Sequence, residues 1–209
     1  MPFPTAFFPS ISYLRALCAA SDSAIEHHEN WIKQSIRNRC EVAGNEGIYP
    51  LIVPVLHSNQ KQKVSEIRVD DAQKWRQKHW KSLQTMYGKS PYWEYYDLEI
   101  KQLLFFPSEF LTEINEQILS FFITQWDLPL RINKTSEFTP YQQNDARLHA
   151  WLERNETMKA YQQVFHEPSN FTSNLSALDL LLCMGPMGRT YLLGWVSENR
   201  RKLLKKIRA

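Results

Sequence analysis

The sequence predicts a single α/β domain, and three observations predict it. A strand–helix–strand pattern opens the chain. Two extended runs then flank the glycine-bounded loop Gly44-Asn45-Glu46-Gly47. From residue 70 onward the apolar spacing turns helical, with stops at glycine and proline. A chain of 209 residues has room for one domain with a sizeable core. Residues 1–209 are therefore read as one domain, with 128–160 as a mobile lid and 196–209 as a basic C-terminal tail.

Residues 5–8 are apolar enough for a short buried strand. Ser10 can cap a helix on which Tyr13, Leu14, Leu17 and Cys18 recur at helical spacing, and 24–27 reads as the next strand. Strands joined through a helix run parallel, because only antiparallel neighbours can be joined by a tight turn. Residues 36–43 and 48–55 read as a hairpin. Pro50 and Pro54 cannot donate to a ladder, which puts the second of these strands at an edge or a bulge. Residues 64–69 alternate, with Ser65, Ile67 and Val69 on one face.

Asp70 or Asp71 caps a helix that ends at Tyr87, before Gly88. Trp75, His79, Leu83 and Met86 form its stripe, with Tyr87 at the margin. An aromatic helix follows Pro91. After Pro107, Ser108 starts a third helix whose apolar face is Leu111, Ile114, Ile118 and Phe121 or Phe122. Residues 131–138 read as a strand. Ser176 caps a final helix to Met184, with Asp179 at the capping-box position, and Gly185-Pro186 stops it.

Composition narrows the functional classes. Hydrophobic residues at 43% and charged residues at 22% are ordinary for a globular protein. A net charge of +3 is too mild to argue for nucleic acid. Cys18, Cys40 and Cys183 are dispersed and form no Cys-x-x-Cys, so reduced thiols are expected in place of a disulfide framework or zinc site. The apolar runs at 51–56 and 178–184 fall short of the roughly 20 residues a membrane span needs. The N-terminus lacks the basic-then-apolar order of a secretory signal. The expectation is a cytoplasmic protein with no integral membrane segment. Arg200, Arg201, Lys202, Lys205, Lys206 and Arg208 read as a solvated helix end, with weak peripheral contact to an anionic membrane as the alternative.

The densest chemistry lies between Trp31 and Val55, where Lys33, Gln34, Arg37, Asn38 and Arg39 crowd seven residues beside an apolar run. Arginine forks take carboxylate or phosphate, and an asparagine amide both donates and accepts. In an extended chain Arg37 and Arg39 share one face and Asn38 the other. A charged surface edge is the competing reading. Trp75 and His79 lie one helical turn apart, and His79 is the candidate for proton transfer because imidazole titrates near neutral pH. A structural hydrogen-bonding histidine is the alternative. Glu26-His27-His28-Glu29 is a poor metal set, since strand neighbours point to opposite faces. No GxGxxG, P-loop or Gly-x-Ser-x-Gly elbow occurs, and no cofactor or metal is expected.

Several stretches resemble the WbqC-like family. These are Gln34-Ser35-Ile36-Arg37-Asn38-Arg39-Cys40, the run ending Val53-Pro54-Val55, and Trp75-x-x-x-His79-Trp80. Further on are Ser90-Pro91-Tyr92-x-Glu94-Tyr95-Tyr96, Tyr161-Gln162-Gln163-Val164-Phe165, and Asn174-Leu175-Ser176 through to Met184-Gly185-Pro186. Phe7-Phe8-Pro9 with Tyr13 matches the family's Bacteroidetes-type branch. Met86, Asn170, Cys183 and Met187 depart from its pattern. The resemblance implies a bacterial cytoplasmic protein associated with surface-polysaccharide synthesis. It also implies a Rossmann-like start, although the turn Pro9-Ser10-Ile11-Ser12-Tyr13 lacks the histidine pair that nucleotidylyltransferases of that fold use.

Together these readings describe a transferase or ligand-binding protein for an anionic small molecule, an activated sugar or acyl donor. Lys33, Gln34, Arg37, Asn38 and Arg39 would hold the anion, Trp75, Tyr87 and Tyr95 would stack on it, and His79 would move the proton. The alternative is a non-catalytic assembly factor that binds a protein through an aromatic surface.

Overall fold

A computed structural model describes every residue except 21–22, 58–60, 143–144, 150, 152–157, 166–170 and 209, with side chains up to residue 197. The chain opens with β1 (Pro2–Pro4), α1 (Ile11–Ala19) and β2 (Ser23–Glu26). β1 and β2 are parallel, with Phe3 opposite Ile25. The expected strand–helix–strand start is therefore present, but the first strand lies ahead of the expected 5–8. Phe8 has φ of +38° and cannot continue an extended run. Residues 5–8 are instead a buried connection into α1, held by Phe7 N–H on the Ile36 carbonyl and Ser176 Oγ on the Phe8 carbonyl. Ser10 caps α1 by accepting from Tyr13 N–H, as its position predicts.

β3 (Arg39–Gly44) and β4 (Gly47–Ile52) form the hairpin. Gly44 pairs with Gly47, so the turn proper is Asn45-Glu46. This ribbon is a two-stranded sheet of its own, and among the described residues β4 has an unpaired outer edge. Residues 64–69 are not a strand. Val64–Glu66 is a 3₁₀ turn, followed by isolated bridges from Arg68 to Phe110 and Val69 to Val55. Their alternation reflects burial of Val64, Ile67 and Val69 without a ladder.

Three helices follow: α2 (Trp75–Tyr87), α3 (Trp93–Leu104) and α4 (Leu111–Gln125). The stripe Trp75, His79, Leu83, Met86 and Tyr87 is buried as spaced. Asp70 caps only the 3₁₀ turn Asp71–Gln73, because Lys74 at φ +50° separates that turn from α2. Arg76 ties the corner between α3 and α4 to α2, donating to the carbonyls of Leu104, Phe106 and Ser108.

β5 (Ile132–Lys134) joins β2 in parallel, giving the order β1-β2-β5. It covers three residues of the expected 131–138. The described parts of 128–160 are fastened inward through Asp145, Arg147 and Trp151, all buried. α5 (Ala177–Met184) begins at the Ser176 cap, and α6 (Met187–Arg208) lies along α1. The fold is thus a mixed α/β domain with a parallel sheet, a separate hairpin and six helices among the described residues.

Candidate functional site

The donor-rich stretch folds as turns through 33–38 and becomes extended only at Arg39, so Arg37 and Arg39 do not share a face. Arg37 turns inward, 2% exposed, and grips Glu29 with Nε and Nη2 at 2.8 and 2.7 Å. Arg39 stays on the hairpin and pairs with Glu41 at 2.9 Å. Lys33 and Gln34 remain exposed, and Gln34 holds φ of +53°, a left-handed conformation uncommon outside glycine. Asn38 donates from Nδ2 to the Val53 carbonyl, which fixes the turn against the end of the ribbon.

Lys33, Gln34 and Asn38 come together around a cavity of about 300 Å³, with Trp31, Val55, Leu56 and His57 as its other walls. Two of these residues carry an unanswered polar atom. The Trp31 indole N–H and the Asn38 Oδ1 are buried, and no group among the described residues bonds to either. Native interiors rarely leave a donor and an acceptor so placed, since each costs about 1–3 kcal/mol unpaired. Trp31 belongs to the stretch singled out from sequence. His57 gave no sequence signal, because a lone histidine beside a polar loop follows no pattern.

The helical candidates sit elsewhere. His79 packs its ring against Trp75 and Phe7, with centroids 5.3 and 6.0 Å away. Burial lowers its pKa to about 4, against a hydrogen bond to the Ile52 backbone that raises it, so the ring is neutral at pH 7. Trp75 is buried and donates to Asp71. Tyr87 is fully buried. Its hydroxyl accepts from Ala43 N–H and donates to Asp179. Tyr95 is 72% exposed on α3. None of these four lines the cavity around Asn38.

Two buried polar clusters escaped the sequence reading. Asp179 is fully buried and accepts from Tyr87, Tyr161 and Gln163. It lies where a capping box would put it, but its carboxylate serves this cluster. Beyond the ends of β2 and β5, three carboxylates and two guanidiniums interlock: Glu26, Glu29 and Asp145 with Arg37 and Arg147. Arg37 also donates to the Arg147 carbonyl at 3.2 Å, and Tyr141 lies 4.3 Å beneath the Arg147 guanidinium. Burial works to raise Glu26, but hydrogen bonds from Thr139, His28 and Thr135 and the Arg147 charge outweigh it and hold the carboxyl low. Burial similarly opposes Asp145, whose bonds to Arg147 hold it below the usual range. At Glu29 burial prevails over Arg37, and its pKa is raised. Arg37 stood out as a donor and Glu26 and Glu29 only as a poor metal set, and nothing in the sequence linked them to one another or to Asp145 and Arg147. The partners of Arg37 lie on segments of the chain that no local pattern connects.

A parallel three-stranded sheet, a separate two-stranded ribbon and packed helices place the chain in the mixed α/β class. The model of the WbqC-like protein family matches residues 5–157, and the chain belongs to that family. No curated protein and no solved structure matches the chain. Among the described residues, no helix is long and apolar enough to cross a membrane.

Proposed function

We propose that the chain binds an anionic small molecule, an activated sugar or an acyl donor, in the cavity around Asn38. It would do so as a transferase or binding protein of surface-polysaccharide synthesis. The observation that carries this is the convergence of Lys33 and Gln34 on one hollow whose wall includes Trp31 and Asn38, each burying an unanswered polar atom. Lys33 supplies the cation for the anion, and Gln34 and Asn38 read polar edges beside it. Arg37, Trp75 and Tyr87 belong to the framework in this reading, because their polar groups already have partners inside the protein. His79, neutral and packed against Trp75 and Phe7, is not part of this hollow's wall.

A thermal-shift series with nucleotide sugars and acyl donors tests the proposal. A stabilising compound should lose roughly tenfold or more in affinity with Lys33→Ala, the scale of one charged hydrogen bond. Stabilisation by none of them favours the second reading, a protein-binding role. That reading is supported by Tyr95 and Leu98, 72% and 61% exposed one turn apart on α3.

A further inference from the structure

A second cavity, of about 400 Å³, lies between α4 and β5. Ile25, Leu119, Ile123, Leu130 and Ile132 make its walls aliphatic. Its polar end is a linked trio. Lys134 Nζ is 2.6 Å from one oxygen of Glu116, and the other Glu116 oxygen is 3.3 Å from His27 Nε2. His27 directly follows β2 and Lys134 closes β5, so the trio sits at the carboxyl ends of parallel strands, where open α/β sheets hold their ligands.

The trio has a defined polarity. Burial lowers the His27 pKa, as do Lys134 and His28, and the opposing pull of Glu116 and Glu26 does not offset this, so the imidazole is neutral at pH 7. With Glu116 beside Nε2, the proton of the neutral ring belongs on that nitrogen and the lone pair on Nδ1. Nε2 is buried and, apart from the Glu116 charge 3.3 Å away, has no hydrogen-bond partner among the described residues. Nδ1 makes no hydrogen bond among them either but is not among the buried atoms, so it is the ring nitrogen a ligand can reach. One ammonium, one carboxylate and one neutral imidazole sum to no charge. Such an end favours a head group that donates a hydrogen bond without bringing charge of its own.

We propose that this trough is a second ligand site, taking an aliphatic alcohol or the hydroxylated end of an acyl chain. The hydroxyl donates to His27 Nδ1, and the hydrocarbon lies on Leu119, Ile123, Leu130 and Ile132. The proposal is independent of the cavity around Asn38, which shares none of these residues.

The test is an NMR titration of the full chain, isotope-labelled, with 1-hexanol, hexanoate and hexylamine. The expected result is a saturable shift of the His27 imidazole nitrogens and the Ile123 and Ile132 methyl groups with hexanol, and at least several-fold weaker binding of the two charged analogues. Ile123→Trp should abolish the shifts by filling the trough. Ser120→Trp, at its exposed rim, does the same without touching the interior. His27→Phe keeps the ring volume and should weaken hexanol severalfold, to the level of a ligand without a head-group contact. Equal affinity for all three head groups, shifts that survive both tryptophan variants, or no saturable shift at all would overturn the proposal.

Discussion

Single side chains show what spacing can and cannot reveal. Tyr87 was legible as the margin of an apolar stripe, but its hydroxyl's work was not. That hydroxyl joins Ala43 on the ribbon to Asp179 on α5. Tyr87→Phe should cost about 2–3 kcal/mol, because it leaves a buried N–H and a buried carboxylate each short of a partner. Urea denaturation of the variant measures the loss. Arg37 was legible as a multidentate donor, but the sequence could not show that Glu29 already answers it. Arg37→Ala should destabilise by roughly 3–5 kcal/mol, the usual cost of stranding a buried carboxylate. Arg37→Met combined with Glu29→Gln should recover part of it. If the double variant is no more stable than Arg37→Ala, the stranded charge is not the cause.

Whole elements were read more faithfully than their ends. The stripe of α2, the cap of α1 and the stop of α5 all follow from local rules, and all are present. Misplaced boundaries share a cause in backbone conformation. Phe8 and Lys74 adopt positive φ, which neither residue type announces. The stop of α5 was legible because glycine does announce it, although the long α6 that starts at Met187 was not foreseen. Gly185 has φ of +54°, and a methyl group there would run into the Tyr92 ring. Gly185→Ala should lower stability by at least about 1–3 kcal/mol, the range for a strained backbone position, with the clash added. A fall in thermal midpoint would register it, together with a changed fluorescence of Trp126, whose indole donates to the Gly185 carbonyl.

At the scale of the molecule, the buried ionisable groups set a pH dependence. The His79 pKa is lowered from 6.5 to about 4, so its contribution is complete above pH 6.5 and disappears as pH falls toward 4. A shift of that size corresponds to about 3 kcal/mol. Glu26 and Asp145 are also lowered, so their contribution holds above the ordinary carboxylate range and is lost as pH falls through their depressed values. Glu29 is raised and opposes them, adding stability at low pH that fades as pH rises through its folded value. Urea midpoints taken from pH 8 to pH 3 should therefore decline in two stages. His79→Leu should flatten part of the upper stage and leave the lower one. An unchanged upper stage would mean that His79 does not titrate as a buried neutral ring. The ionic network was the least legible feature of the whole, because its five members come from three separate stretches of chain.

The proline in the middle of the ribbon has a consequence beyond one molecule. Pro50 stands opposite Glu41 on β4, and Ile48, Tyr49 and Ile52 around it are each more than two-fifths exposed. With hydrogen-bonded pairs alternating from Gly44 and Gly47, the N–H missing at Pro50 is one that would have faced outward, toward any approaching chain. An apolar strand with a complete row of donors there would be a template for neighbouring copies, and the pyrrolidine ring interrupts that row. Pro50→Thr should leave the monomer folded yet prone to concentration-dependent aggregation, visible as rising light scattering. Solubility of this family member at high concentration would then hang on a single imino acid.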